Sequence, residues 1–466
     1  DVEIVDAGSE GMSVAKPEGR VIFIPFGVPG DVVDIEVFKR KKNYFEGRIL
    51  NIKKPSEKRV DPVCQHFGLC GGCKWQQLDY QWQIQYKQKQ VKDNFDRIGK
   101  IDYPDIRPIL GCEKQYFYRN KLEYAFSNRK WLTDGAPAGT CSEDDCKGLG
   151  FHLPQLFDRV VDIEKCHLQS DPSNDIRLFV RQFTLDHRLS YYSVRHHEGL
   201  MRNLVIRCNA KGEFMVILVI NEENAVVRNE LVPALEQRFP QIVSLLLVIN
   251  NKCNDVINDL PFECLKGDPF LMETMAAPRA GFPDLCFRIG PVSFFQTNVY
   301  QASRLYKAAF DLADVKGDEL MYDLYTGTGT IAQYFSRFVK KVVGIEYVES
   351  AIEDAKVNAE INGITNCTFH AGDMAKVFTD DFIASNGHPD LIVTDPPRAG
   401  MAEKVVEQLL KIRARKIVYV SCNPATQARD LQLLDSAYKV MAVQPVDMFP
   451  HTQHVENITL LELRES

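Results

Sequence analysis

Two side chains in the C-terminal part of the chain have the types and positions that nucleophilic and acid–base chemistry needs. Cys422 closely follows the apolar run of residues 417–420, and Glu456 lies 34 residues further along. A lone cysteine is usually inert core packing, but a thiol at the end of a strand, beside a proline-bounded turn, is placed to act as a nucleophile. Glu456 is a candidate general base, with a solvated carboxylate of a C-terminal strand as the alternative.

A second group of thiols lies far upstream in a glycine-rich segment. Cys64, Cys70 and Cys73 form a Cys-x5-Cys-x2-Cys pattern, and the glycines around them allow the chain to wrap a compact object. Zinc sites usually show two closely spaced pairs, whereas an iron–sulfur cluster accepts such a loop together with one distant thiolate. A free-thiol loop is the other alternative, and the radical S-adenosylmethionine spacing, Cys-x3-Cys-x2-Cys, differs. Candidates for a fourth ligand are Cys112, Cys141, Cys146 and Cys166.

A glycine-containing loop indicates a nucleotide-type ligand. The sequence Gly-Thr-Gly-Thr at residues 327–330 follows an apolar strand and precedes a helix, so the backbone can approach a ligand closely. Glu346, 23 residues after Asp323, ends the next strand, where a carboxylate can bind ribose hydroxyl groups. This pattern fits S-adenosylmethionine and dinucleotides alike, and a turn without a ligand is a third possibility. Asp395-Pro-Pro-Arg after a later strand favours a methyltransferase over a dehydrogenase, because many methyltransferases hold the acceptor group there.

A reactive cysteine at the same edge has a clear use if the methyl acceptor is a pyrimidine carbon. C5 of uracil is too weak a nucleophile to take a methyl group directly, whereas addition of a thiolate at C6 places negative charge on C5. After methylation, a base must remove the C5 proton so that the thiol can leave. Cys422 and Glu456 match these two roles.

Strands and helices that alternate from about residue 291 predict an open, mostly parallel sheet, with polar residues gathered at the carboxyl ends of its strands. We predict strands at residues 320–324, 342–345, 391–394 and 416–420, and a helix at 351–362. Short β-branched runs with turn glycines in residues 1–54 predict a small barrel. A polar stretch at 76–97 predicts an exposed helix. The fold class is therefore multidomain α/β, with an N-terminal β-barrel at 1–54, an α+β domain with the cysteine loop at 55–290, and a Rossmann-like domain at 291–466.

Composition places the chain among ordinary globular proteins. It has 466 residues, of which 45% are hydrophobic and 26% charged, and a net charge of −7. No apolar run approaches the ~20 residues of a membrane helix, and 13 scattered cysteines without a secretion signal indicate a reducing compartment, so we expect a cytoplasmic protein. Residues 39–59 nevertheless carry nine basic and two acidic side chains. This stretch is either a solvated face or a phosphate-binding patch.

Five motifs over residues 291–466 together resemble the RNA uracil-5-methyltransferases. They are the strand and glycine loop, Phe-Gln-Thr-Asn at 295–298, Asp-Pro-Pro-Arg at 395–398, Ser-Cys-Asn-Pro at 421–424 and Pro-His-Thr-Gln-His-Val-Glu at 450–456, in the family's order. The resemblance implies that Cys422 is the nucleophile and Glu456 the proton-abstracting base. It also implies a site for S-adenosylmethionine lined by Gln296, Tyr325, Thr330, Glu346, Asp373 and Asp395.

The N-terminal part carries further resemblances. Residues 1–54 resemble the TRAM domain, an oligonucleotide-binding barrel, which would give the basic stretch RNA phosphates to bind. Glu-Lys-Cys-His-Leu at 164–168 resembles the segment that holds the family's fourth cluster ligand, and Tyr-Phe-Tyr-Arg-Asn-Lys at 116–121 resembles a segment that could contact RNA. These resemblances imply a [4Fe–4S] cluster held by Cys64, Cys70, Cys73 and Cys166.

The barrel and the cluster together imply the branch of the family that methylates 23S rRNA. The target uridine would be single-stranded or flipped out of its stack. We expect a monomer that binds RNA and no membrane. The alternatives are an RNA cytosine-5-methyltransferase, which usually has a Pro-Cys pair where Arg398 follows proline here, and a non-catalytic RNA-binding ribosome-assembly factor. An intact Cys422–Glu456 pair argues against the assembly factor, and a dinucleotide oxidoreductase is a more distant alternative.

Overall fold

The N-terminal strands form a closed five-stranded barrel, as the short β-branched runs predict. The computed structural model describes residues 1–132 and 145–465 of the chain. The barrel has the strand order β1-β2-β3-β5-β4, and its centre is filled by small and branched side chains such as Ile4, Ile24 and Val33. Its strands are β1 (Val2–Ala7), β2 (Met12–Ala15), β3 (Ile22–Pro25), β4 (Val32–Arg40) and β5 (Phe45–Lys54).

A seven-stranded mixed sheet follows, in the order β12-β11-β10-β9-β6-β7-β8. Its strands are β6 (Lys121–Ser127), β7 (Gly148–Leu153), β8 (Leu156–Asp162), β9 (Met201–Cys208), β10 (Phe214–Ile220), β11 (Ile242–Ile249) and β12 (Glu263–Gly267). The helices of this part are α2 (Ser173–Asp186) and α3 (Val232–Arg238). All seven residues of β10 are buried, because its alternate side chains pack into separate core clusters on the two faces of the sheet.

Helix α1 (Tyr80–Asn94) precedes this sheet and differs from the prediction for residues 76–97. It begins later, since the side chain of Asp79 accepts a bond from the N–H of Gln81 and so caps the helix start. It is also not simply exposed: one face, which includes Gln83 and Lys87, is buried. Val91 of this helix packs into the core of the C-terminal sheet. Because the buried face of this helix carries polar side chains, the sequence pattern predicts the helix but not its burial.

The C-terminal part is built on a second seven-stranded sheet, in the order β17-β16-β15-β18-β19-β21-β20. A two-stranded ribbon, β13 (Leu271–Met275) and β14 (Leu285–Ile289), comes before it. The strands of the sheet are β15 (Leu320–Leu324), β16 (Lys341–Glu346), β17 (Cys367–Ala371), β18 (Leu391–Thr394), β19 (Lys416–Ser421), β20 (Tyr438–Val446) and β21 (Glu456–Leu463). Strands β15 to β19 are parallel to one another, and β21 runs antiparallel to both β19 and β20.

Helices cover both faces of this sheet. They are α4 (Val299–Ala313), α5 (Thr330–Ser336), α6 (Glu349–Ile361), α7 (Met374–Val377), α8 (Asp380–Asn386), α9 (Glu403–Ile412) and α10 (Pro424–Leu434). Side chains of α4 and α5 pack with Met321 and Val342 on one face, whereas those of α9 and α10 pack with Tyr322 and Val343 on the other. Neighbouring strand residues thus face opposite layers. Across the described ranges, no helix has both the length and the hydrophobicity that crossing a lipid bilayer requires.

Candidate active site

The strand register brings Cys422 and Glu456 to the same place. Strands β19 and β21 pair antiparallel with Ser421 opposite Asn457, so the residue after Ser421 and the residue before Asn457 lie across from each other. These two residues are Cys422 and Glu456. Both side chains line one cavity at the carboxyl edge of the parallel strands. Residues 34 positions apart therefore meet because the chain reverses direction between the two strands.

Side-chain hydrogen bonds fix the turns on either side of this pair. Asn423 caps α10, since its Oδ1 accepts a bond from the N–H of Ala425 at 3.1 Å. Asn423 Nδ2 also donates to the carbonyl oxygen of Arg398 at 3.0 Å, which ties the loop after β18 to the loop after β19. Next to Glu456, Asn457 Nδ2 donates to Gln427 Oε1 at 2.7 Å. These hydrogen bonds thus help to fix the backbone on which Cys422 and Glu456 lie.

Burial raises the pKa of all three acidic groups at the centre of the site. The Glu456 side chain is buried, which raises the pKa of its carboxyl, and the nearby charge of Asp395 adds to the rise. Burial likewise raises the pKa of Asp395. The pKa of the Cys422 thiol is raised to about 12 by burial and then by Glu456 and Asp395, whereas Arg398 lowers it. The protein's own groups therefore favour the protonated forms of Asp395, Glu456 and Cys422, and a cation bound beside them would favour their ionised forms.

The cavity has a volume of about 1400 Å³ and extends from this edge to the glycine loop. Glu346, at the end of β16, accepts bonds from the N–H groups of Gly327 and Val348, both at 3.0 Å. Tyr325 has a φ of +64°, a left-handed backbone that is rare for an aromatic residue and is often found at functional sites. Five of the six side chains predicted to bind S-adenosylmethionine line this cavity, namely Gln296, Tyr325, Thr330, Glu346 and Asp395.

Asp373 is the predicted binding residue that lies outside the cavity lining. It follows β17 and caps α7, because its Oδ1 accepts a bond from the N–H of Ala375 at 3.0 Å. Its charge still reaches the site: after burial and Asp430, it is the next cause that raises the pKa of Tyr325, to about 12.

Several residues that line the cavity were not singled out by the sequence analysis. Arg398 and His454 flank the pair of Cys422 and Glu456, and Tyr306 on α4 lies buried in the cavity wall. Burial, and then the charge of Arg398, lowers the pKa of His454 to about 4, so its imidazole is neutral at pH 7. Arg398 and His454 stand inside two of the recognised motifs, which is the signal that could have found them. Tyr306 is on an amphipathic helix, where no signal separates it from core packing.

The cysteine loop folds against the segment that contains Cys166. Gln65 Nε2 donates to Glu164 Oε2 at 2.6 Å, which joins the start of the loop to that segment. Cys73 and Cys166 belong to one buried core cluster, and Cys70 packs against the same cluster. Cysteines that lie about a hundred residues apart in the sequence thus pack at one core cluster. The loop also reaches the cavity, whose lining includes Gly71, Gly72 and Lys74.

The four thiols are near one another without converging on a point. Burial raises the pKa of Cys166 to about 11, and Cys70 and Cys64 are among the further causes of that rise. Yet among the residues described, no three Cys, His, Asp or Glu side chains are close enough together to hold a single metal ion. Of the other candidates for the fourth ligand, Cys112 donates instead to the carbonyl oxygen of Asp447 at 2.9 Å, and Cys141 lies outside the described residues.

Comparisons with known proteins agree with this arrangement. A family model described as tRNA (Uracil-5-)-methyltransferase matches residues 282–464, and a TRAM domain model matches residues 1–50. The chain is 54% identical over 459 residues to a protein of Bacteroides thetaiotaomicron named an uncharacterized RNA methyltransferase, covering 98% of this chain and 100% of the relative. A protein of Porphyromonas gingivalis with the same name is 48% identical over 467 residues, covering 99% of each chain.

One solved structure matches nearly the whole chain. It is a Pyrococcus abyssi tRNA (uracil-54, C5)-methyltransferase in complex with S-adenosyl-L-homocysteine, with a TM-score of 0.74 and 28% identity. The match covers 99% of this chain and 100% of the archaeal protein. This protein therefore belongs to the RNA uracil-5-methyltransferase family, and it has the family's methyltransferase fold with an N-terminal TRAM domain. The resemblance and the barrel predicted from sequence are both confirmed.

Proposed function

We propose that this protein transfers a methyl group from S-adenosylmethionine to C5 of a uridine in RNA, through a transient bond between Cys422 and C6 of the ring. The observation that carries the proposal is the meeting of Cys422 and Glu456 across the β19–β21 ladder, in a cavity shared with the glycine loop. The archaeal neighbour, named for the same reaction on tRNA, supports it.

The residues around the cavity fit S-adenosylmethionine. When bound, this compound supplies an electrophilic methyl group on a positively charged sulfur. Asp395 and Glu456 are acids with raised pKa values in the same cavity, and a neighbouring cation favours their carboxylate forms. Glu346 ends β16, the second strand of the C-terminal sheet in chain order, which is the usual position of a ribose-binding carboxylate. Further lining groups are Gln296, Tyr325 and Thr330. Asp373, at the start of α7, stays among the proposed binding residues.

In the proposed reaction, the thiolate of Cys422 adds to C6 of uracil, and the electrons of the C5=C6 double bond move toward C5. C5 then bonds to the methyl group, whose bond to the positively charged sulfur breaks with both electrons staying on that sulfur, and C5 still carries its hydrogen. Glu456, as a carboxylate, removes that proton, and the released electron pair restores the C5=C6 bond as the C6–S bond breaks. Arg398 lowers the pKa values of both Cys422 and Glu456, so it favours the ionised forms that these steps use.

RNA binding is assigned to the N-terminal part of the chain. The barrel of residues 1–54 exposes Lys41 and Lys42 at the turn between β4 and β5, and such cations bind phosphates without reading sequence. The target uridine must leave its stack to reach Cys422, which costs a few kcal/mol, roughly the unpairing cost of one base. Residues 55–290 would then hold the RNA between the barrel and the methyltransferase domain of residues 291–466.

We assign a [4Fe–4S] cluster to the four thiols of the cysteine loop and its partner segment, Cys64, Cys70, Cys73 and Cys166. The assignment is supported by the resemblance of both segments and by the packing of Cys70, Cys73 and Cys166 at one core cluster. Methyl transfer needs no electron, so the cluster would shape the loop or position RNA. Because Gly71 and Gly72 line the cavity, this loop is part of the wall that a bound RNA meets.

For the RNA itself, we propose 23S rRNA, because the barrel and the cysteine loop together are typical of the branch of the family that it resembles. Transfer RNA is the second candidate, favoured by the archaeal neighbour, which matches the whole chain and is named for tRNA. The distinguishing experiment offers both unmodified RNAs to the protein with S-adenosylmethionine and measures methylated nucleosides by mass spectrometry after digestion.

We expect 5-methyluridine in 23S rRNA fragments, and none with Cys422→Ala. Methylation of tRNA alone would replace the first candidate by the second. The appearance of 5-methylcytidine, or of no methylated nucleoside in either RNA, would overturn the assignment of uridine C5 methylation.

A further inference from the structure

A fully buried ion pair joins helix α1 to the segment before Glu456. Lys87 Nζ lies 2.6 Å from Asp447 Oδ1, and both side chains are completely buried. The same ammonium donates to the carbonyl oxygen of Phe449 at 2.9 Å, and Tyr80 donates its hydroxyl to Asp447 Oδ2 at 2.8 Å. Burying two charges is costly unless geometry and extra hydrogen bonds compensate, as they do here.

A second contact from the same helix holds the turn at His451. Gln83, one helical turn before Lys87, accepts a bond from the N–H of His451 at 2.8 Å. The carbonyl oxygen of His451 in turn accepts bonds from the N–H groups of Lys74 and Trp75, at 2.8 and 3.0 Å. His451 has a φ of +65°, a conformation that a residue other than glycine keeps only when its surroundings impose it.

The turn held in this way leads directly into the proposed base. Phe449, Thr452, Gln453, His454 and Glu456 line the cavity, and Glu456 is the first residue of β21. We infer that Lys87 and Gln83 are positioning residues for Glu456, which they hold in reach of the C5 proton through residues 447–451. This inference rests on the proposed function, since it assigns a purpose to the proton-abstraction step.

A role in stability alone accounts less well for these contacts. A buried ion pair can often be replaced by apolar side chains of similar size with little loss of stability, so its presence is weak support for a purely stabilising role. Among the described residues, the side-chain hydrogen bonds from Lys87 and Gln83 to the C-terminal part all end on residues 447–451, close to the proposed base. Both side chains sit on the one buried face of an otherwise polar helix.

The test is Lys87→Met, compared with Lys92→Met, which makes the same change on the exposed side of the same helix, where Lys92 pairs with Asp96. With unmodified substrate RNA and S-adenosylmethionine, we expect kcat to fall by about 10- to 100-fold in Lys87→Met, a typical effect of a misplaced catalytic group. KM for RNA should stay within about twofold, because phosphate contacts made elsewhere set it. Lys92→Met should resemble the wild type.

The decisive readout is the covalent RNA–protein adduct in denaturing gels. A displaced Glu456 slows only proton removal, so Lys87→Met should accumulate the methylated adduct as Glu456→Gln does. Since removing one partner of a buried pair can unfold the protein, Lys87→Met/Asp447→Asn, which removes both charges, and Gln83→Met are measured alongside at a temperature where circular dichroism shows all variants folded.

Adduct in Glu456→Gln but not in any folded variant of Lys87 or Gln83 would overturn the positioning role, whether or not those variants lose activity. Absence of the adduct in Glu456→Gln itself would instead overturn the proposed function.

Discussion

Replacing Glu456 by glutamine separates the first half of the proposed reaction from the second. Glutamine has the same shape as the carboxyl but cannot take a proton from C5. Addition of Cys422 and methyl transfer should continue, whereas elimination should stall with the RNA still bound to sulfur. Because general-base catalysis typically contributes about 10²- to 10⁴-fold, we expect turnover to fall by that factor, with each active chain trapping about one RNA.

The same substitution has a predictable effect on stability. The pKa of Glu456 is raised above its unfolded value of 4.5, mainly by burial, so the folded state holds the proton more tightly than the unfolded state does. Stability of the wild type therefore falls as pH rises from the unfolded pKa through the folded one, by about 1.4 kcal/mol for each pKa unit between them. Glu456→Gln lacks this loss, so it should be more stable than the wild type at pH 7 by about 1 kcal/mol or more and equal to it near pH 4.

Two measurements check these expectations. Denaturing gels of Glu456→Gln with RNA and S-adenosylmethionine should show a slowly migrating band that needs both partners and is absent when Cys422 is also changed to alanine. Urea unfolding at pH 4 and pH 7 should give the stability difference. A variant that turns over at the wild-type rate, or that is less stable than the wild type at pH 7, would refute the assignment of Glu456 as a buried base.

Three further outcomes are expected. Cys422→Ala should lower methylation by at least about a thousandfold while RNA affinity stays within about twofold; appreciable residual turnover would exclude the covalent route. Neutralising residues 39–42 should flatten the dependence of log affinity on log salt by about 0.7 for each lost phosphate contact, and an unchanged slope would make this stretch a solvated face. Protein purified without oxygen should contain about four irons per chain, and Cys73→Ser should lose them while the exposed Cys253→Ser keeps them; stoichiometric zinc would refute the cluster.

Much of the fold could be predicted because its strands are apolar runs that end in polar residues. Strands β15 and β18 lie at the predicted residues, since both are apolar, largely buried strands in the middle of a mostly parallel sheet. The chemistry of pyrimidine methylation and the family resemblance both pair Cys422 with Glu456, but neither gives the geometry of their meeting. It depends on the antiparallel register of β19 and β21, which no local pattern specifies.

The roles of several polar side chains could not be predicted from sequence, because they depend on contacts between residues far apart in the chain. Lys87 and Gln83 look like surface residues of a polar helix, and only the tertiary structure places them against residues 447–451, some 360 positions away. Asp373 follows a strand end as a binding residue should, and one oxygen of its carboxylate also caps a helix. Hydrogen-bonding side chains can serve either purpose, so their types and spacing do not distinguish a ligand contact from a structural one.

The central claim, a bond between the Cys422 sulfur and C6 of a uridine, is tested most directly with RNA that carries 5-fluorouridine at the target position. Fluorine at C5 cannot leave as a proton does, so the adduct cannot eliminate. After incubation with S-adenosylmethionine and digestion with protease and nuclease, mass spectrometry should find one methylated 5-fluorouridine nucleotide attached to the peptide that contains Cys422. A nucleotide attached to another cysteine, or methylation of ordinary uridine RNA with no adduct on the fluorinated RNA, would contradict the account.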